Sequence, residues 1–451
     1  MTNALTSPRS TAELAAATPA GRDRYVDLIR LFSIGMVVLG HWVVALLTLH
    51  GAGDVSTSMP LMLSTWVWQV MALFFFVGGF AHARALRHRP PLGTFVRSRL
   101  SRLLPPALVM VAVWTGLAVL MYTAGFNSGQ FAVGLQTITV PLWFLGVYLV
   151  IVLAAPTMMR LHERYGLWPV MGALAAAVAL VDVVKLGAGL PDIGYANMLF
   201  VWLAAHQLGY GYADGTLQRG GRRLAGLFAV GGLAGAALLV FGTSAYPVLM
   251  VGIPGNELSN SAPPNLALLA QSFFLVGTAL LLRRAGTALM QRPRVWFAAA
   301  TGSTVIMTVF CWHLTACYIV QAGLLVVGAR LPAADTPVWF LALAGWLVAC
   351  SLACLGLVML FRRFERQAPA PGTIRTAAAV AGTLAAAAGL YTVSKIGLDE
   401  LVTDQGISPA SLLPLVLVAA GALALRGGRS HAAAHPSTMS ASSAGASRAT
   451  R

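Results

Sequence analysis

The chain has 451 residues, of which 58% are hydrophobic and only 10% charged, with a formal net charge of +16 and a mean hydropathy of +0.76. Soluble domains carry about 25% charged residues, so the composition excludes an ordinary soluble domain and points to an integral membrane protein. The positive excess does not mark a nucleic-acid binder, because the arginines lie in short breaks between apolar runs and form no single basic face.

Residues 1–21, MTNALTSPRSTAELAAATPAG, are polar and Ala-rich without an apolar core. They read as a disordered cytoplasmic N-terminus and not as a cleaved signal peptide. Twelve apolar runs follow, each near the roughly 20 residues that a bilayer crossing needs. They fall at about 26–48, 61–82, 105–124, 139–158, 167–185, 195–213, 223–242, 265–282, 302–328, 336–361, 374–396 and 408–425. The expected fold is an all-α polytopic bundle of about 12 transmembrane helices. A low-complexity tail from 427 to 451 is expected to be disordered and cytoplasmic.

Loop charge sets the expected orientation. Arg84, Arg87, Arg89, Arg97, Arg99 and Arg102 follow the second run, and further basic clusters follow the fourth, sixth, eighth and tenth. The intervening loops HGAGDVSTSM, NSGQFAVGLQ and SAYPVLMVGIPGNELSNSAPPN contain no Lys or Arg. Both termini are therefore expected on the cytoplasmic side of a cell membrane.

The first run carries chemistry. In RLFSIGMVVLGH, Arg30 and His41 are eleven residues apart, about three helical turns or ~16 Å, and so share a face. Asp27 lies on the same stripe, three residues before Arg30, within reach of an ion pair. Arg30 alone could snorkel to the interface. His41 is too deep for that, and an ionisable group at such depth lines a cavity or makes a buried hydrogen bond. Desolvation favours its neutral, proton-accepting form, which suits a general base.

The segment TFVRSRLSRLLPPALV places Arg99 and Arg102 three residues apart. On a helix they share a face, where two guanidinium forks can grip a phosphate, either of a lipid headgroup or in a specific site. Pro105 and Pro106 suit the first turn of a new helix or an interruption in a continuous one. There is no G-x-x-x-x-G-K-[ST] phosphate loop and no G-x-S-x-G elbow.

Taken together, RYVDLIRLFSIGMVVLGH, FFFVGGF, RSRLSRLLPP, PLWFLGVYLVIVLAAP and FCWHLTACY, in that order, resemble the acyltransferase 3 family of membrane acyltransferases. These enzymes O-acylate bacterial surface glycans and various secondary products. The likeness spans roughly residues 22–365, a ten-helix acyltransferase core. Residues 366–426 supply two additional transmembrane helices. The resemblance implies catalysis by His41 with Arg30, and binding of acyl-CoA, usually acetyl-CoA, by Arg99 and Arg102. Asp27 and His313 are further possible members, and no metal is implied. The co-substrate would be a hydroxyl-bearing carbohydrate, lipid-linked or small-molecule acceptor.

Other residues weigh less. His206 and Gln207 could line an acceptor tunnel or make a helix–helix hydrogen bond. Asp182 and Lys185 fit a local ion pair or an acceptor contact. Trp143 suits an interfacial belt, and His50 with Asp54 is one residue short of an His-x4-Asp pair. The four cysteines read as small buried hydrophobes. The rival function is a multi-spanning transporter or flippase without acyl-transfer chemistry. Such proteins often carry repeated halves, and the motif of the first run has no counterpart near the seventh.

Overall fold

The computed structural model describes residues 18–19, 21–49, 58–125, 129–253, 258–329, 331–332, 336–365, 374–403 and 406–426. His50, Asp54, the tail from 427 and most of the first 21 residues lie outside them. In chain order the long helices are α1 (Arg24–Leu49), α2 (Met59–Trp68), α3 (Met71–Leu86), α4 (Leu92–Thr123), α5 (Gly129–Thr137), α6 (Leu142–Tyr165), α7 (Leu167–Gly187) and α8 (Asn197–Ala213). They continue as α9 (Gly221–Ala237), α10 (Leu266–Gln291), α11 (Pro293–Ser303), α12 (Ile306–Val326), α13 (Pro337–Phe361), α14 (Thr376–Ile396) and α15 (Pro409–Arg426). The two-residue strands β1 (Val402–Thr403) and β2 (Gly406–Ile407) pair antiparallel just before α15.

Among the described residues, 10 helical segments are long and apolar enough to cross a membrane. The protein is an all-α, multi-pass membrane protein. The sixth and twelfth expected spans are present as the shorter α8, of 17 residues, and α15, of 18 residues. α8 has a physical reason to be short. Trp202, Ala204, Ala205, His206 and Gln207 are all fully buried, so protein surrounds this helix and it need not match lipid thickness.

Of the two readings open for the proline pair, the structure has the continuous helix. That helix starts at Leu92, so the arginine segment lies within one 32-residue helix that runs through Pro105 and Pro106. A proline pair leaves the carbonyls of Ser101 and Arg102 without their usual donors. Val96, Leu100, Leu104, Ala107 and Val111 nevertheless form an unbroken buried stripe at helical spacing across the pair. That packing holds the two halves together as one helix.

Glycines set the tightest helix contacts. A Cβ on Gly79 of α3 would lie 1.9 Å from the carbonyl oxygen of His206, and one on Gly209 of α8 would lie 2.1 Å from that of Phe76. α3 and α8 thus touch backbone to backbone, as small residues allow in membrane bundles. At one end of the bundle, Arg283 donates to the Tyr212 hydroxyl at 3.0 Å, and that hydroxyl donates to Asp23 at 3.0 Å. Asp23 in turn accepts from the backbone N–H of Tyr25 in the first turn of α1. This basic end also holds the start of α1 and the end of α10.

Candidate active site

α1 presents its polar stripe as its spacing requires. Asp27 accepts from Arg30 Nη2 at 3.1 Å and from Arg22 Nε at 2.7 Å. Further along, His41 Nδ1 lies 2.8 Å from His313 Nε2 of α12, with the rings stacked at 14° and 5.0 Å between centroids. The partner's other nitrogen settles where the protons sit. His313 Nδ1–H donates to the carbonyl of Phe310 at 2.6 Å, so in the neutral ring Nε2 is an acceptor. His41 must then donate from Nδ1, which leaves its Nε2 as the free basic nitrogen.

Two tryptophans hold this pair in place. Trp42 Nε1–H donates to the His313 carbonyl, and Trp346 Nε1–H donates to the Trp42 carbonyl, each at 2.8 Å. The histidines are thereby locked to α1, α12 and α13 at once.

Toward the basic end, α4 carries Arg97, Arg99 and Arg102. Arg30 and Arg99 are both within electrostatic range of Tyr148 on α6. Arg30 Nε, Arg97 Nη1 and Arg99 Nε are buried donors without a hydrogen-bond partner. Arg97 lies two residues from Arg99 on the same helix and so on another face, whereas Arg30 and Arg99, approaching Tyr148 from two helices, form a cradle whose natural complement is an anion with several acceptor oxygens. Glu365 closes one side. Its carboxylate accepts from the N–H groups of Met307 and Thr308 and from the Thr308 hydroxyl, at 3.0, 2.8 and 2.6 Å. It therefore caps the positive end of α12 while lying within electrostatic range of Arg30.

Aromatic rings join the cradle to the histidines. Tyr148 packs on Phe144 (5.8 Å between centroids), Phe144 on Phe310 (5.5 Å), Phe310 on His313 (6.0 Å), and His313 on His41. This continuous apolar wall links a cationic cradle to a basic imidazole.

A family model described as an acyltransferase domain, acyltransferase 3, matches residues 23–356. The chain belongs to the acyltransferase 3 family. No curated protein and no solved structure matches it. Asp27, Arg30, His41, Arg99, Arg102 and His313 of this acyltransferase all fall inside the matched region, whereas Glu365 and the α14–α15 pair lie beyond it.

The remaining polar residues sort among the readings that the sequence left open, with Asp182 the exception. His206 Nε2 pairs with His82 Nδ1 at 2.9 Å, which is the helix–helix hydrogen bond, and Gln207 donates to His162 at 2.8 Å. Asp182 makes no direct ion pair with Lys185 among the described residues. It accepts instead from Asn197, Tyr246 and the N–H of Leu266, at 2.9, 2.9 and 2.8 Å. That knot pins Tyr246 and the start of α10 beside a cleft of ≈ 370 Å³ lined in part by Lys185, Tyr246, Ser259 and Pro263, at the end of the bundle away from the arginines. Burial, then the charge of Asp182, push the Tyr246 phenol up from its ordinary value. At the basic end, burial alone would raise the Asp214 carboxyl, but hydrogen bonds from Thr216 and His162 hold it below its ordinary value.

Sequence reasoning passed over Tyr148, His82 and Glu365. Glu365 had a usable signal, as the one acid in the basic stretch RRFERQ. His82 was hidden among six arginines, and Tyr148 sits in an aromatic-rich span with nothing local to set it apart.

Proposed function

We propose that this membrane acyltransferase moves an acyl group, acetyl in the family's usual case, from cytoplasmic acyl-CoA to a hydroxyl. The acceptor is extracytoplasmic or membrane-associated: a glycan, a glycolipid or a secreted small molecule. The layout of α1 carries the proposal, with a cationic cradle at one end of the stripe and an imidazole with a free Nε2 about three turns away.

Each residue has a role in that scheme. Arg30, Arg99 and Arg102 hold the phosphates of CoA, a role supported at Arg30 and Arg99 by their unpartnered buried Nε donors. The aromatic wall guides the thioester arm toward His41. His41 Nε2 takes the proton of the acceptor hydroxyl as that oxygen bonds to the acyl carbon. The carbon–sulfur bond then breaks, and His41 returns the proton to the departing sulfur, so ester and free CoA form with no net proton change. His313 acts through His41 by fixing its tautomer, and Asp27 steadies Arg30. The positive-inside pattern supports a cytoplasmic basic end, so the acceptor would arrive from the opposite side, where the Lys185 cleft lies.

The test is His41→Ala in the full-length protein. Envelope glycans, lipids and secreted metabolites are compared by mass spectrometry in cells carrying the wild type, the variant or no gene. The expected result is an acyl increment present only with the wild type, while the variant inserts at normal levels. Unimpaired acylation by His41→Ala refutes the mechanism.

A further inference from the structure

The His82–His206 pair has no part in the chemistry above, yet burying two imidazoles in a membrane bundle is costly without a use. Both are almost fully buried, at 1% and 0% exposure. On the far side of His82, its Nε2 lies 3.4 Å from the Tyr148 hydroxyl. The remaining nitrogen, His206 Nδ1, is buried without a partner.

That orphan nitrogen directs the protons. A buried lone pair lacking a donor costs less than a buried N–H lacking an acceptor, so His206 carries its proton on Nε2 and donates to His82 Nδ1. His82 then carries its proton on Nε2, facing the Tyr148 oxygen. The tyrosine receives from His82, and its own O–H is left to donate elsewhere.

What surrounds that O–H is cationic. Arg30 and Arg99 both lie within electrostatic range of Tyr148, and each has an unpartnered Nε. The ring reaches this position because residue 78 is glycine. A Cβ there would stand 2.9 Å from both the hydroxyl oxygen and a ring carbon of Tyr148.

We infer that Tyr148 is a further donor-binding residue, its hydroxyl aimed by the His82–His206 pair to hydrogen-bond a phosphoryl oxygen held between Arg30 and Arg99. This rests on the acyl-CoA assignment above. A neutral donor between two guanidinium groups adds direction to a contact that charge alone would leave loose. His82 is the positioning residue, acting only through the tyrosine.

The experiment uses the full chain in nanodiscs with two acyl carriers, acetyl-CoA and the phosphate-free acetyl thioester of pantetheine. Tyr148→Phe is expected to raise KM for acetyl-CoA by about tenfold, the scale of a hydrogen bond to a charged group. It should leave kcat within about twofold and leave KM for acetyl-pantetheine unchanged. His82→Leu should show the same carrier-dependent penalty and add nothing when combined with Tyr148→Phe. A penalty that is equal with both carriers, or absent with acetyl-CoA, overturns the inference. Because each variant is compared with itself across carriers, a general folding defect cannot imitate the expected pattern. Wild-type protein that binds acetyl-CoA no more tightly than acetyl-pantetheine would overturn the acyl-CoA assignment itself, and the role of Tyr148 with it.

Discussion

Replacing His313 with leucine should change which nitrogen of His41 carries the proton. In the structure His41 Nδ1–H has one acceptor, His313 Nε2 at 2.8 Å, and that acceptor exists because His313 Nδ1–H is tied to Phe310. Leucine removes the acceptor. A buried N–H left unpaired costs about 1–3 kcal/mol, so His41 shifts toward the tautomer protonated on Nε2, where it cannot accept the substrate proton. At about 1.4 kcal/mol per factor of ten, the competent fraction falls roughly 5- to 140-fold, and kcat falls with it. Glutamine at 313 can offer its side-chain oxygen to the same N–H and should recover much of the loss. The assay is acyl-CoA consumption by the full chain in nanodiscs supplied with a membrane extract as acceptor source, with thermal unfolding measured in parallel. If His313→Gln and His313→Leu lose equal activity while both stay folded, the tautomer argument fails. It fails equally if neither loses any.

Two further outcomes concern the scaffold. Gly79→Ala puts a methyl into the space of the His206 carbonyl, so α3 and α8 must separate. An overpacking cost of about 1–3 kcal/mol should appear as a lower unfolding temperature in detergent, and an unchanged value would contradict the close contact. Asp214→Asn should destabilise the protein at neutral pH, because the folded carboxyl is held below its ordinary value. An acid depressed on folding contributes stability above its unfolded pKa, near 3.9, and loses it as pH falls through the folded value. The gap in unfolding temperature between wild type and Asp214→Asn should therefore close below about pH 4; a gap that persists there would rule out the depressed carboxylate.

The helices and the α1 stripe were legible because both depend on spacing within one segment. Hydropathy over about 20 residues locates a span, and the separation of Arg30 from His41 fixes a face. The His41–His313 contact joins positions 272 residues apart, and no local pattern encodes a pairing between distant helices. The proline pair leaves the start of α4 open between a new helix and a continuous one, and the buried stripe that decides for the continuous helix is tertiary. Sequence proximity pairs Lys185 with Asp182, yet better donors reach that carboxylate from Asn197 of α8, from Tyr246 and from the first turn of α10.

The α14–α15 pair bears on how such chains can be recombined. A Cβ on Gly146 of α6 would stand 2.9 Å from the Ala387 carbonyl oxygen of α14, and one on Gly93 of α4 would stand 2.1 Å from that of Ile374. α4 brings Arg99 to the cradle and α6 sets Tyr148 beside it, so the appended pair and its lead-in lean directly on both helices. A chimaera cut at the end of the family match would strip that backing from α4 and α6. Grafts between relatives should therefore exchange the whole stretch through residue 426, treating the extra hairpin as a wall of the reaction chamber.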